Sequence, residues 1–376
     1  MRPGDETRNR AGARRHPRCV LVAVSAMGLG HAQRALAPIR ALRAGGSRIV
    51  LVAHGEALAM LRQALAGDEA VAWHDLPDYP PLQRGRGLAH YRHFFADLPA
   101  VARAIRAERA LAARLVHAHA PDCILSDGRF GFRHRAVPSL LICHQLRFLL
   151  PPLLRPAQLL GDLAQLALLR GFDRILVPDG PDPAASLAGG LAHNWIARAL
   201  RAVHVGHLSS AVYKSTAKDI DILFIAGGFL ADARADWTAW AERAAAAARA
   251  EGAGRIVLVG ASAAAAPDGA AGAIERHVRV DGAARDALMN RARLVVGRAG
   301  YTTLMDLVEL RQDALLIPTA GMTEQAYLAR RFPARDFAGR TVHVFRHADL
   351  PPAIRDGRSA ASVARILDEI GALLDG

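Results

Sequence analysis

From about residue 18 to the C terminus, short runs rich in Val, Ile and Leu alternate with longer segments of helical period. That alternation restricts the chain to β-α units wound around parallel sheets, whose strands are covered on both faces and so read as continuous apolar runs. The first half offers strand candidates at 18–26, 48–55, 70–76, 122–128, 139–145 and 174–180, with helices at 31–43 and about 91–118. The second half repeats the pattern, with strands at 221–228, 255–260, 277–282, 293–300 and 314–319 and helices at about 232–250, 283–291, 302–311 and 323–331. A break falls at 201–221, where a strand-like run ends in glycine and polar residues follow. The expected fold class is therefore α/β: two Rossmann-like, doubly wound parallel-sheet domains facing each other. The expected bounds are a flexible basic leader at 1–17, an N-terminal domain at 18–208, a C-terminal domain at 209–352 and a helical tail at 353–376 that packs back across the junction. Ligands of open α/β sheets bind at the carboxyl ends of the strands, which places the site in the cleft between the domains.

The 376 residues carry a formal net charge of +13, compatible with nucleic acid, an anionic membrane surface or phosphorylated small molecules. Arginine supplies almost all of that charge, Lys214 and Lys218 being the only lysines, so the excess reflects base composition as much as binding. Nucleic acid has only the net charge behind it and is not expected as a partner. Cys19, Cys123 and Cys143 lie far apart in apolar runs and form neither a metal-spacing nor a redox pair, which fits a reducing cytoplasm. Residues 1–17 are polar and Arg-rich and lack the apolar stretch of a secretory signal. The most apolar segment, 145–172, is interrupted by Arg147, Arg155, Asp162 and three prolines, so it does not read as a membrane span. Its leucines and flanking arginines suit either a core helix or a surface lying against anionic lipid. The expected location is cytoplasmic, with a peripheral place on the inner membrane face left open.

The sharpest motif of the first half is SAMGLGHAQRALAPIRAL, in which a strand runs through Gly28 and Gly30 into a helix opening at about His31. The third glycine and the acidic residue of a dinucleotide fingerprint are missing, which disfavours NAD. Backbone N–H groups at a helix start disfavour an imidazolium, so His31 is suited to act as a neutral base, and equally to cap and pack. In the second half, RLVVGRAGYTTLMDLVELRQDALLIPTAGMTEQA carries a strand through Arg298 and Gly300 to a helix opened by Thr302 and Thr303, where free N–H groups and hydroxyls could receive a diphosphate. Asp306 follows one turn on, and Glu324 and Gln325 open the next helix, as sugar-hydroxyl partners or, with Thr323, as caps. Asp127, Arg129, His144 and Gln145 follow first-domain strands, as groups facing the cleft or as turn formers. An Asp-x-Asp at Asp219 and Asp221 precedes its strand, at the end opposite the expected ligand, and is read as solvated rather than metal-binding. No zinc spacing and no phosphate-binding Gly-Lys loop occurs.

Gly28, Gly30, His31 and Arg34 match the Gly-x-Gly-His-x-x-Arg loop of the GT-B glycosyltransferases, and the chain resembles in particular the MurG-like enzymes of glycosyltransferase family 28. The block at 293–332 is the more specific match, and SDGRFG, ICHQL, VPDG and VGHLS extend the resemblance over nearly the whole chain after the leader. It implies the GT-B fold and the transfer of a hexosyl or N-acetylhexosaminyl group from a nucleotide sugar, UDP-linked, to a hydroxyl acceptor, with inversion; an acceptor on a membrane lipid, a cell-envelope glycan or a secondary metabolite is compatible with it. It also implies no metal and no cofactor. His31 would be the base or an orienting group, and Asp127 would orient His31 or stand on the acceptor side. Gly28, Gly30, Arg34, Gly227, Gly228, Arg298, Gly300, Thr302, Thr303, Asp306, Glu324 and Gln325 would bind the donor, and Arg129, His144 and Gln145 would lie on the acceptor side. The sequence departs from the family at Asp306, where Glu is usual, and at Phe229, which replaces a small polar residue. A nucleotide-sugar hydrolase on the same scaffold, or a non-catalytic nucleotide-sugar or lipid-binding protein, are the alternatives.

Overall fold

The computed structural model describes residues 16–80, 88–150, 152–225, 231–260, 274–278 and 280–375. Most of the expected leader, and Gly227 and Gly228, lie outside the described residues.

The first half runs β1 (Cys19–Val24), α1 (Leu29–Ala44), β2 (Arg48–Ala53), α2 (Gly55–Ala64), β3 (Val71–Asp75), α3 (Leu88–His119), β4 (Cys123–Asp127), β5 (Ser139–Ile142), α4 (Gln158–Leu169), β6 (Arg174–Val177), α5 (Trp195–Ala199) and β7 (Val203–His204). Its seven strands form one parallel sheet in the order β3-β2-β1-β4-β5-β6-β7. The second half runs β8 (Ile220–Ile225), α6 (Ala231–Ala250), β9 (Ile256–Val259), β10 (Glu275–His277), α7 (Gly282–Arg291), β11 (Ala292–Arg298), α8 (Tyr301–Glu309), β12 (Ala314–Ile317), α9 (Thr323–Ala329), β13 (Ala334–Phe337), β14 (Arg340–Phe345), α10 (Pro352–Arg355) and α11 (Ser359–Asp375). Its sheet order is β10-β9-β8-β11-β12-β14-β13.

Local patterning explains these elements. Every residue of β1 is buried, the continuous apolar run of a strand covered on both faces. α1 buries Ala32, Ala35, Leu36, Ile39 and Leu42, spaced three and four apart, so one stripe of the helix meets the sheet. In α6, Trp237, Trp240, Ala241, Ala244 and Ala245 form the same stripe, the alanines allowing close approach to β8 and β9.

The second sheet departs from the expected all-parallel form at its edge: β14 pairs antiparallel with β12 and with β13. This hairpin escapes an apolar-run reading because Ala334, Arg335 and Asp336 are exposed. β10 also begins two residues earlier than the apolar pattern places it, on Glu275, which pairs with Arg255. α11 returns to the first half, where Glu369 pairs with Arg174 and Arg365 donates to the Val205 carbonyl. No helix among the described residues is long and apolar enough to cross a membrane.

In each sheet the strand order reverses between the first and fourth strands, β1/β4 and β8/β11. The carboxyl ends of these pairs carry Gly28–His31 and Asp127 in one half and Arg298–Thr303 in the other. These are the positions at which such sheets bind ligands.

Candidate active site

Two helix starts meet at the centre of the cleft. α1 begins on Gly28 and α8 on Gly300, neither with a side-chain cap and neither with an acidic residue in its first turn. Each start therefore keeps unsatisfied N–H groups and the positive end of its dipole. They approach so closely that a Cβ added at Gly30 would lie 2.6 Å from Thr302 Oγ1 and 2.9 Å from its Cβ, which only glycine avoids. An anion between the two starts would be favoured from both sides.

His31 stands on the first turn of α1, with its side chain 23% exposed, and its Nδ1 lies 2.8 Å from Oδ1 of Asp127, which is 2% exposed. Gly128, at φ +70°, permits this approach, since a Cβ there would meet the His31 ring at 2.9 Å. Arg34, one turn along α1, reaches the same carboxylate: Nε donates to Oδ2 at 2.7 Å and Nη2 to Oδ1. Burial pushes the Asp127 pKa up, but Arg34 and then His31 outweigh it and hold the carboxyl well below its usual range. An ionised Asp127 must receive Nδ1–H from the imidazole, which leaves the Nε2 lone pair as the free base. The 3.1 Å approach of Arg34 Nη2 to Nδ1 is then proximity between donors rather than a hydrogen bond.

Beyond Arg34 the polar chain crosses to the other domain. Arg34 Nη1 lies 3.4 Å from His144 Nδ1, and His144 Nε2 lies 2.9 Å from Glu324 Oε1 at the start of α9. The His144 ring stacks on Tyr301, with centroids 4.2 Å apart and planes 7° from parallel, and the Tyr301 hydroxyl donates to the Pro178 carbonyl. Burial lowers the His144 pKa more than Glu324 raises it.

The other expected residues have varied surroundings. Asp306 is buried, with Oδ1 accepting from Ser209 Oγ at 2.5 Å and Oδ2 lying 3.0 Å from Arg285. Arg285 in turn donates to Gln33 on α1 at 2.5 Å, joining the halves again. Gln325 accepts from the Thr319 backbone with Oε1. The Gln145 amide nitrogen is buried without a hydrogen-bond partner among the described residues. The twofold period of β11 turns Arg298 toward α6, where it lies 4.7 Å over Trp237, and burial pushes its pKa down to about 10.

Three expectations need correction. Arg129 does not face an acceptor: it is fully buried, binds Glu108 at 2.7 Å and donates to the carbonyls of Leu76 and Pro77, fastening α3 and the 76–79 segment to the sheet. Arg34 is 1% exposed and turned onto Asp127, so its side chain holds the dyad rather than reaching toward donor phosphates. Asp219 accepts from Arg255 and Arg291, and Asp221 from the Gly254 backbone, so ion pairs and a turn account for these carboxylates better than free solvation does.

Sequence reasoning missed Asp78, Tyr301, Arg285 and Ser209. Asp78 Oδ2 accepts from Ser25 Oγ at 2.8 Å and from the Ala26 amide, which anchors the approach to the glycine loop. Tyr301 and Ser209 were within reach of reading, since Tyr301 directly follows Gly300 and Ser209 closes VGHLS. Asp78 and Arg285 lie outside the motifs and join the site only through the fold.

No protein-family model matches this sequence, and a search of curated proteins finds no match. Solved structures do. The chain is similar to the spinosyn rhamnosyltransferase SpnG complexed with thymidine diphosphate, at 17% identity and a TM-score of 0.56, over 94% of this chain and 96% of that one. It is similar to the glycosyltransferase of kitacinnamycin, at 16% identity and a TM-score of 0.54, over 96% and 97%. It is also similar to MurG of Acinetobacter baumannii, at 15% identity and a TM-score of 0.51, over 95% and 100%. At such identities the likeness speaks for architecture: the chain has the two-domain GT-B fold.

Proposed function

We propose that this chain transfers a hexosyl or N-acetylhexosaminyl group from a nucleotide sugar, UDP-linked, to a hydroxyl acceptor with inversion. The observation that carries the reading is the His31–Asp127 pair beside two uncapped helix starts that touch at Gly30 and Thr302. The acceptor hydroxyl gives its proton to His31 Nε2 as its oxygen attacks the anomeric carbon. The bond from that carbon to the diphosphate oxygen breaks on the opposite face, and its electron pair leaves with the nucleotide. Asp127 stabilises the imidazolium, while the N–H groups of α8 with Thr302 and Thr303 stabilise the leaving diphosphate. In this reading the helix starts take the part a divalent ion plays elsewhere, so EDTA leaves the rate unchanged. Glu324 and Gln325 meet the sugar, and Asp306 meets the ribose after exchanging its bond from Ser209.

The acceptor proposed is lipid-linked, presented at the inner face of the membrane. Leu153, Leu159, Leu160 and Leu163 are 69%, 63%, 69% and 48% exposed, and exposed Arg155 and Arg170 flank them. The one acid of α4, Asp162, is buried against Arg147. An apolar face flanked by arginines suits anionic lipid.

The test is nucleotide release from a panel of nucleotide sugars, with and without polyprenyl-phosphate-linked and simple hydroxyl acceptors. Release that requires an acceptor, and falls about 10³-fold in His31→Ala, is expected of a general base. Equal release in water alone would assign a hydrolase, and release indifferent to His31 would remove the mechanism.

A further inference from the structure

His144 stands outside the reacting groups and yet touches the machinery of both domains. It follows β5, is 8% exposed, and packs its ring against Tyr301, whose hydroxyl is tied to the Pro178 carbonyl. Arg34 can only donate, so His144 Nδ1 must accept, and Nε2 then carries the hydrogen that goes to Glu324 Oε1. One neutral tautomer satisfies both neighbours. Burial raises the pKa of Glu324, but the hydrogen bond from His144 and the charge of Arg34 work against it and draw it below the usual value, with Oε1 committed to His144. The start of α9 is held against the same loop, since Thr323 Oγ1 donates to the Leu149 carbonyl at 2.9 Å.

We propose that His144 is a positioning residue for the donor sugar: its Nε2–H fixes one oxygen of Glu324 and turns the other toward a sugar hydroxyl. Through Arg34 and Asp127 the same imidazole ties that orientation to the base His31. The acceptor-side place expected for His144 is thereby replaced by a donor-side one. The proposal rests on the reading that Glu324 meets the sugar of a nucleotide-sugar donor. It accounts for a buried histidine held between an arginine and a carboxylate at the junction of two domains.

Calorimetric binding of UDP and of UDP-hexoses to wild type, His144→Ala, His144→Gln and Glu324→Gln tests it. Wild type is expected to bind one UDP-hexose more tightly than UDP. His144→Ala should keep UDP affinity within about twofold and lose the sugar's advantage by about tenfold, one good hydrogen bond to a charged group. His144→Gln, which still offers an N–H, should recover part of the advantage. Combining His144→Ala with Glu324→Gln should cost no more than Glu324→Gln alone, because both act through one carboxylate. An unchanged sugar advantage in His144→Ala, or equal losses for UDP and UDP-hexose, overturns the positioning role while leaving the donor reading intact. A wild type that prefers no sugar nucleotide at all overturns the donor reading, and this proposal with it.

Discussion

On the N-terminal side of the cleft, Asp127 has both oxygens engaged by Arg34 and His31, residues of its own domain on one helix. On the C-terminal side, Glu324 is held by His144 of the opposite domain, and Asp306 by Ser209 of the connecting segment and by Arg285, itself bonded across the cleft to Gln33. The proposed base is thus assembled within one domain. The proposed donor face owes part of its order to contact between the domains: in this reading the Ser209–Asp306 bond gives way to a ribose, whereas the His144–Glu324 bond stays. Catalytic groups gain from being fixed in advance.

Asp127→Asn should break the first half of this comparison most severely. It removes a charge from a buried arginine, with an expected loss of about 3 kcal/mol in chemical unfolding. It also removes the group that selects the tautomer of His31, lowering turnover about 10²-fold. The pH dependence follows from the sign of the shift. Because the folded carboxyl titrates below the ordinary value, its stabilisation is present above that value and is lost as pH falls. The stability gap between wild type and Asp127→Asn should therefore narrow steadily as pH falls below about 5, through the ordinary carboxylate range. A gap constant over that range would contradict an ionised Asp127.

Gly30→Ala should act on the contact between the halves. Its Cβ would strike Thr302, costing about 1–3 kcal/mol and weakening nucleotide binding about tenfold. Adding Thr302→Gly removes the atoms struck and should restore binding in part. If the pair is no better than Gly30→Ala alone, the two helix starts do not meet as described.

Ser209→Ala is a smaller change with opposite expected effects. It should lower stability by about 1 kcal/mol and tighten nucleotide binding about fivefold, because Asp306 no longer gives up a bond to receive the ribose. Weaker nucleotide binding would show that Asp306 is structural. The least effect on chemistry is expected from Leu159→Ser with Leu160→Ser, two exposed positions of α4. Sedimentation with phosphatidylglycerol vesicles should fall while turnover of a soluble acceptor stays the same.

The same contrast governs what could be read from the chain. The sheets were legible because strands such as CVLVAV are buried on both faces and leave no polar interruption, while the exposed edge β13 left no apolar trace. The glycine loops and His31 were legible because a tight turn into a helix needs those residue types at that spacing. Arg129 misled because it follows a strand at the carboxyl edge, a position shared by cleft residues and by staples, and only its pairing with Glu108 tells them apart. The links from Asp306 to Ser209 and from His144 to Glu324 span 97 and 180 residues of chain, and no local pattern encodes them.

Calorimetric binding of UDP, GDP, dTDP and their hexose conjugates, with and without EDTA, to wild type and His31→Ala decides whether the cleft holds a donor. One nucleotide sugar should bind, EDTA should change nothing, and His31→Ala should bind it as tightly as wild type. If no nucleotide or nucleotide sugar binds, the donor face built on Thr302, Asp306 and Glu324 is not a donor face, and the transferase reading falls with it.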